Sequence, residues 1–263
     1  MTEVLPARLD SLDQPVQPEP QAEYFEIPVP IADKILPLYV QSRPFAGGGF
    51  GDIYAAYLPA FQQYYALKAV SESKLRNRYP DDHEFEMKKI SSQSELEKEA
   101  ALVQAIPPHE NIVKGYGTIL HENQVFAVFE YLHPDKWQNL REARSSGRPF
   151  SLQETDTILE QVIAGSNHAR LNMTPQRDPT PDNIMVTKQP DKLGKHHIKL
   201  IDFGATDLVF ETSSILRPQD QRERIGVSTG YIAPELFDNR VYTPQTMVYS
   251  LGVIATEMVV GKN

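Results

Sequence analysis

Two short stretches place oxygen-bearing side chains at spacings that could do chemistry. The first reads Gln176-Arg177-Asp178-Pro179-Thr180-Pro181-Asp182-Asn183 and runs into apolar Ile184-Met185-Val186. The second closes the run Ile198-Lys199-Leu200-Ile201 with Asp202-Phe203-Gly204. Carboxylate and amide oxygens are hard ligands that suit Mg²⁺. A loop carboxylate can also take a proton from a hydroxyl. Transfer of a phosphoryl group between oxygens needs both, a carboxylate beside the attacking hydroxyl and oxygen ligands for a metal against the phosphates. Asp, Asn and Gly are also ordinary turn formers, so the rest of the chain has to decide between chemistry and turns.

The elements that would position these loops follow from pattern. Phe45 to Tyr54 reads as two strands joined by Gly47, Gly48, Gly49 and Gly51, a turn short of Cβ atoms whose backbone amides can approach an anion closely. Tyr64-Tyr65-Ala66-Leu67-Lys68-Ala69-Val70 alternates as a third strand. Lys68 on it is, taken alone, a solvated strand lysine. Glu95 to Ile106 reads as a helix with Leu102, Val103 and Ile106 on one apolar face and Glu99 one turn ahead of it. Pro107 and Pro108 end that helix and a fourth strand starts over His109 to Val113; Gln124 to Glu130 is a fifth strand. Residues 136 to 145 and 152 to 171 look helical, and Tyr242-Thr243-Pro244 opens a last helix.

Bulk properties narrow the class. The chain has 263 residues, 40% hydrophobic, a net charge of −9 and no cysteine. That length holds one large domain or two small lobes. The acidic balance argues against nucleic acid as a partner. Absence of cysteine excludes disulfides and thiolate metal sites, and a reducing cytoplasm fits. Met1 to Leu5 shows no secretory pattern, and the apolar stretch Val248 to Val260 is too short to span a bilayer, so no membrane segment is expected. The pair His196-His197 falls in a polar hairpin with no second ligand pair at helical spacing, which speaks against a metal site there.

Taken in order, these blocks resemble the eukaryotic-type protein kinase family from about residue 38 to the end. The ending Gly230-Tyr231-Ile232-Ala233-Pro234-Glu235 is similar to the close of that family's activation segment, and Tyr249-Ser250-Leu251-Gly252-Val253 matches its central helix. The resemblance implies an α+β, bilobal fold. A flexible Pro-rich and acidic leader (1–37) precedes a small antiparallel β-sheet lobe (38–131) and a mainly helical large lobe (132–263) that looks incomplete. It implies a Ser/Thr protein kinase that moves the γ-phosphate of ATP to protein substrates with Mg²⁺. On that resemblance, Asp178 accepts the hydroxyl proton and Asn183 and Asp202 hold the metal. Ala46, Gly47, Gly48, Gly49, Phe50 and Gly51 cover the phosphates, with Ala46 in place of the first glycine. Lys68 binds the first two phosphates and is held by Glu99. Glu130 and Leu132 bond the adenine through backbone groups, with Phe129 behind it and Ile53, Ala66 and Met185 around the ring.

Departures from the family pattern stand beside the matches. Gln176 replaces a histidine that packs against the Phe203 position. Thr180 replaces a lysine two residues after the base, and loss of such a contact costs about 10²-fold in rate. Met247 replaces a helix aspartate that bonds the catalytic loop. The segments Ser71 to Ser94 and His168 to Gln176 are longer than usual. The chain stops at Asn263, where the family adds further helices, so Val253, Ile254 and Val259 are expected to lack cover and the chain to be poorly soluble or to dimerise. The competing reading is a pseudokinase-like module that binds ATP or a partner without turnover. A small-molecule phosphotransferase is disfavoured by Tyr231 to Glu235. Arg177 suits a phosphate in the activation segment, with Thr212, Ser213 and Ser214 as candidates, and Ser228 or Thr229 suits contact with the base. Oligomeric state is not legible.

Overall fold

Alternating apolar and polar residues turn the first half of the chain into one antiparallel sheet with a core on one face. The computed structural model describes residues 23–48, 51–146, 149–176, 178–204, 229–231, 233–234 and 244–260. It divides into two compact units, Met1–Ala105 with Lys114–Leu132, and Ile106–Val113 with His133–Asn263.

The first unit carries β1 (Tyr24–Ile31), β2 (Lys34–Gln41), β3 (Ala46–Gly47), β4 (Gly51–Leu58), β5 (Gln63–Val70), α1 (Glu72–Arg78), α2 (Asp82–Ala105), β6 (Gly115–His121) and β7 (Gln124–Glu130). Its seven-stranded sheet has the order β1-β2-β4-β5-β7-β6, with β3 paired to β4. Successive strand residues point to opposite faces. Tyr65, Leu67 and Ala69 of β5 therefore join Ala56, Leu58, Phe126 and Val128 in one buried cluster with Ile27, Val29, Leu38 and Val40. The register pairs Ile53 with Lys68, Ala55 with Ala66, Ala66 with Phe129 and Lys68 with Ala127, so these residues share the opposite face.

Two expectations change here. Residues 24 to 37, read from the sequence as the end of a flexible leader, are the strands of a hairpin whose register runs from Tyr24 opposite Gln41 to Ile31 opposite Lys34. The alternation Ile27, Val29, Ile31 is the signal, masked by three prolines: Pro28 and Pro30 lie on the edge strand β1, and Pro37 of β2 lies outside the residues paired with β4. The charged segment Ser71 to Ser94 is also mostly helix, forming α1 and the first half of α2. The second half of α2 buries Leu96, Glu99, Ala100 and Val103 on one face. That helix comes close to β6 because residue 115 is glycine. A Cβ there would stand 2.9 Å from the backbone nitrogen of Gln104 and 3.0 Å from Val103.

The second unit carries β8 (Trp137–Asn139), α3 (Leu140–Ser146), α4 (Leu152–Leu171), β9 (Ile184–Thr187), β10 (Ile198–Leu200) and α5 (Pro244–Val260). The helix read from residue 136 thus starts at Leu140, after a short strand. Likewise, the strand expected over His109 to Val113 starts at Gly115; residues 111–113 bond instead to Leu200 within this unit, through Leu200 N–H to the Asn111 carbonyl at 2.8 Å and Val113 N–H to the Leu200 carbonyl at 3.0 Å. Ser151 and Glu154 form a capping box that starts α4. Buried Gln161 then ties α4 to β10. Its Oε1 accepts from Asn111 Nδ2 and Ile198 N–H, and its Nε2 donates to the carbonyls of Thr157 and His196. The two histidines of the hairpin are engaged there, His196 Nδ1 with the Thr187 carbonyl and His197 Nε2 with Asp191. On α5, Ile254 and Met258 are buried while Val248, Tyr249, Val259 and Val260 stay exposed, so Ile254 does not lack cover as expected.

Gly115→Ala is expected to cost about 1–3 kcal/mol, because the methyl meets helix backbone that can move only with α2. A thermal melt of the variant against wild type checks this; an unchanged melting temperature contradicts the close approach.

Candidate active site

In the first unit, β5 and α2 together produce one buried ion pair. Lys68 Nζ lies 3.0 Å from Glu99 Oε1 and 2.9 Å from Glu99 Oε2, with the glutamate side chain 7% exposed and the lysine 24%. Of the glutamates at 95, 97 and 99, Glu99 alone sits on the buried face of α2. The glycine turn lies one strand away. Gly48 N–H donates to the Gly51 carbonyl at 3.0 Å and Phe45 N–H to the Ile53 carbonyl at 2.9 Å. Ala46 pairs with Ile53 and Gly47 with Asp52. Gly49 and Phe50, also named from the sequence, lie outside the described residues. At the end of β7, Glu130 N–H is taken by the Lys114 carbonyl at 2.9 Å. Tyr131 packs its ring on Phe45 (5.5 Å) and Tyr64 (5.4 Å), which anchors the segment leading to Leu132. Phe129 is buried, and Ile53 and Ala66 are partly buried on the Lys68 face.

The second unit assembles the carboxylates. Asn183 Nδ2 donates to the Asp178 carbonyl at 3.0 Å and approaches its Oδ2 at 3.4 Å. Thr180 N–H donates to the Asp178 carbonyl, and Asn183 N–H to the Thr180 carbonyl, so the loop closes on itself. Ile201 N–H donates to the Asn183 carbonyl at 3.0 Å, which ties this loop to the strand end carrying Asp202. Buried Gln176 holds the next peptide, the one that leads into Asp202, Nε2 donating to the Ile201 carbonyl at 2.9 Å. A residue read from the sequence as a disturbance of apolar packing is thus a backbone tether. Asp202 adopts φ +60°, the left-handed region that Asp tolerates through local hydrogen bonding, here from Gly204 N–H to its Oδ1 at 3.1 Å. Met185 lies on β9, between Asn139 and Lys199 in the register. Thr180 is buried. Arg177, Thr212 to Ser214 and Ser228 lie outside the described residues, as does the Thr229 side chain.

Asp178 is the perturbed group. Burial, with the charges of Asp202 and Asp182, raises its pKa to about 6, against a smaller opposing effect from the Asn183 hydrogen bond. Asp182 was missed in the sequence, as was its partner. Arg141 grips it with one edge of the guanidinium, Nε at 2.7 and 2.9 Å from the two oxygens and a terminal nitrogen at 2.7 Å. The Arg141 guanidinium also stands 5.9 Å from the Tyr231 ring centroid, and the Tyr231 hydroxyl donates to Glu257 at 2.7 Å. Arg144 pairs with the same glutamate. No local signal marks Arg141, which is 41 residues from its partner in the chain.

This donor set fits a hard divalent cation. Asn183 and Asp202 would offer only oxygen once the Asn183 amide nitrogen is spent on Asp178. Burial is the main cause of the raised Asp178 pKa, and the smaller added repulsion from Asp202 and Asp182 is what a cation would relieve. Two or three protein oxygens suffice for Mg²⁺, which keeps waters and phosphate oxygens as its other ligands.

The protein kinase domain family matches residues 39–263, and the chain belongs to that family. It is similar to the serine/threonine-protein kinase PrkC of Bacillus subtilis, 27% identical over 237 residues that make up 88% of this chain and 32% of that protein. It is also similar to the SNF1-related protein kinase catalytic subunit alpha KIN12 of Arabidopsis thaliana, 24% identical over 86% of this chain and 40% of the relative. The mouse Aurora kinase B is 23% identical over 83% of this chain and 55% of its own length. The chain therefore spans about a third to a half of the length of these relatives. Among solved structures, the PknI kinase domain of Mycobacterium tuberculosis shares the α+β fold with a TM-score of 0.56 at 19% identity, covering 84% of this chain and 73% of that one.

The Asp178 carboxyl yields a stability prediction. Its folded pKa, about 6, lies above the ordinary value of 3.8, so the folded chain binds the proton more tightly between those values. Stability falls as pH rises through that window and stays lowered above it. Asp178→Asn removes the ionised group and is expected to raise the melting temperature at about pH 8 without metal or nucleotide. The gain shrinks as pH drops towards about 4. Paired melts across this range check it; an equal effect at every pH contradicts the burial of an ionised carboxylate.

Proposed function

We propose that this chain is the kinase module of a Mg-ATP-dependent protein kinase that phosphorylates Ser or Thr hydroxyls of protein substrates. The observation that carries the reading is the buried, two-pronged Lys68–Glu99 pair, a lysine held in place at the expense of hydration. Membership of the protein kinase domain family and the names of the relatives support the same reaction class.

In this reading Lys68, oriented by Glu99, neutralises the first two phosphates, while the turn from Ala46 to Gly51 covers them. Backbone groups of Glu130 and Leu132 bond the adenine, with Phe129, Ile53, Ala66 and Met185 supplying apolar contact. Asn183 and Asp202 hold Mg²⁺, which when bound offsets charge on the phosphate oxygens. Asp178 takes the proton of the substrate hydroxyl as its oxygen bonds to the γ-phosphorus and the bond to the ADP oxygen breaks. Gln176 and Asn183 keep the Ile201 peptide, and so Asp202, in register with Asp178. Among the described residues no helix is long and apolar enough to cross a membrane, which is compatible with the proposed cytoplasmic site.

The second reading, a module that binds ATP without turnover, draws on Thr180. This side chain is buried where the family places a lysine, so the loop supplies no cation at that position. Transfer of radiolabelled phosphate from ATP to a generic protein substrate separates the two. The kinase reading expects transfer by wild type, a loss of about 10²–10⁴-fold in Asp178→Asn with ATP binding retained, and loss of ATP binding in Lys68→Met. ATP binding by wild type with no transfer favours the module.

A further inference from the structure

The segment between Lys68 and Glu99, long for the family, places one more cation at the glycine turn. Lys74 on α1 sends its ammonium to three acceptors: the Gly48 carbonyl at 3.1 Å, the Gly51 carbonyl at 3.2 Å and Asp52 Oδ1 at 2.7 Å. An ammonium has three N–H donors, and these three acceptors match them. Residue 47 is glycine for the same reason. A Cβ there would lie 2.8 Å from Lys74 Nζ, 3.0 Å from Asp52 Oδ1 and 3.0 Å from the Gly51 carbonyl, in the space the ammonium uses. At Gly48, by contrast, a Cβ would meet nothing within 4 Å.

The helix that carries Lys74 is itself fixed on both sides. Its cap, Ser71, directly follows β5, with Lys68 three positions before it and Lys74 three positions after. Glu72 pairs with Lys89 of α2 at 2.5 Å, and Arg76 pairs with Asp82 at 2.6 Å while lying 3.7 Å over the Phe85 ring. The turn, the Lys68 strand and the Glu99 helix are therefore joined through α1. Charge points the same way. A bare Asp52 carboxylate would repel a phosphate chain bound at this turn, and Lys74 cancels it. Burial works to raise the Asp52 pKa, yet hydrogen bonds from Lys74 and Ser71 bring it below the ordinary value.

We propose that Lys74 is a positioning residue for the nucleotide phosphates, an ammonium clamp that draws the carbonyls of the glycine turn and the Asp52 carboxylate towards α1 and leaves the turn shaped and neutral for an anion. The inference rests on the proposed ATP-binding role of this turn. Lys74 acts through the turn and does not itself touch phosphate.

Binding of ATP and of adenosine to the 263-residue chain, measured by calorimetry for wild type, Lys74→Met and Lys74→Arg, tests it. Lys74→Met is expected to weaken ATP about tenfold and adenosine less than about twofold, because only the phosphates meet the turn. Lys74→Arg keeps a cation with several donors and is expected to recover most of the ATP affinity. Gly47→Ala displaces the ammonium, so it is expected to mimic Lys74→Met and to add little to it in the double variant. Equal loss of ATP and adenosine, or no loss of ATP with wild type binding normally, overturns the clamp and leaves the kinase reading standing. A wild type that binds no ATP overturns the nucleotide reading and the clamp with it.

Discussion

A lysine ammonium and a glutamate carboxylate removed from water together constrain the whole first unit. Burying two charges costs several kcal/mol of hydration per ion, and the cost is offset only when geometry is good and the pair is held rigidly. Lys68 and Glu99 meet through both carboxylate oxygens, so β5 and α2 must keep a fixed separation and a fixed rotation. Gly115 lets α2 approach β6, and Leu96, Ala100 and Val103 set the helix face. On the far face of the sheet, the hairpin of β1 and β2 supplies much of the core that keeps β5 in place. An apolar pair at these positions would pack with less penalty; under the proposed function the charges serve the ammonium's contact with an anion.

The second unit is governed by the opposite problem, like charges brought together. Asp178, Asp182 and Asp202 stand near one another in a loop system with partial burial, and burial first, then the neighbouring charges, push the Asp178 pKa up. Two devices contain it. Arg141 neutralises Asp182 with a fork that matches the carboxylate. Hydrogen bonds from Gln176 and Asn183 hold the Ile201 peptide and the Asp178 carbonyl, so the carboxylates cannot simply swing apart.

Much of this was legible in the residues themselves. β7 falls on Gln124–Glu130 as read, because an uninterrupted apolar run between polar ends is what a buried central strand needs. Glu99 could be picked because it lies one turn ahead of Val103 on a helical face, although the buried face runs through Leu96 and Ala100 and not through Leu102 as read. The hairpin at 24–41 was not legible, since its prolines resemble those of a linker and its partner core residues lie on β4, β5 and β7. Arg141 with Asp182, Gln161 with Asn111, and Lys74 with the glycine turn all join residues far apart in the chain, and no local period marks either end.

By itself the sequence determined several of the central elements, among them the strands over β5 and β7 and the helix carrying Glu99, the family, and the residue types able to handle a phosphate and a hard cation, because these depend on periodicity and on spacing within short loops. Tertiary structure alone decided which charges are paired, which carboxylate is left perturbed, and that a glutamine and a second lysine serve as tethers. Those outcomes depend on distances between segments that meet only when the chain is packed, where a change of an ångström separates a hydrogen bond from none.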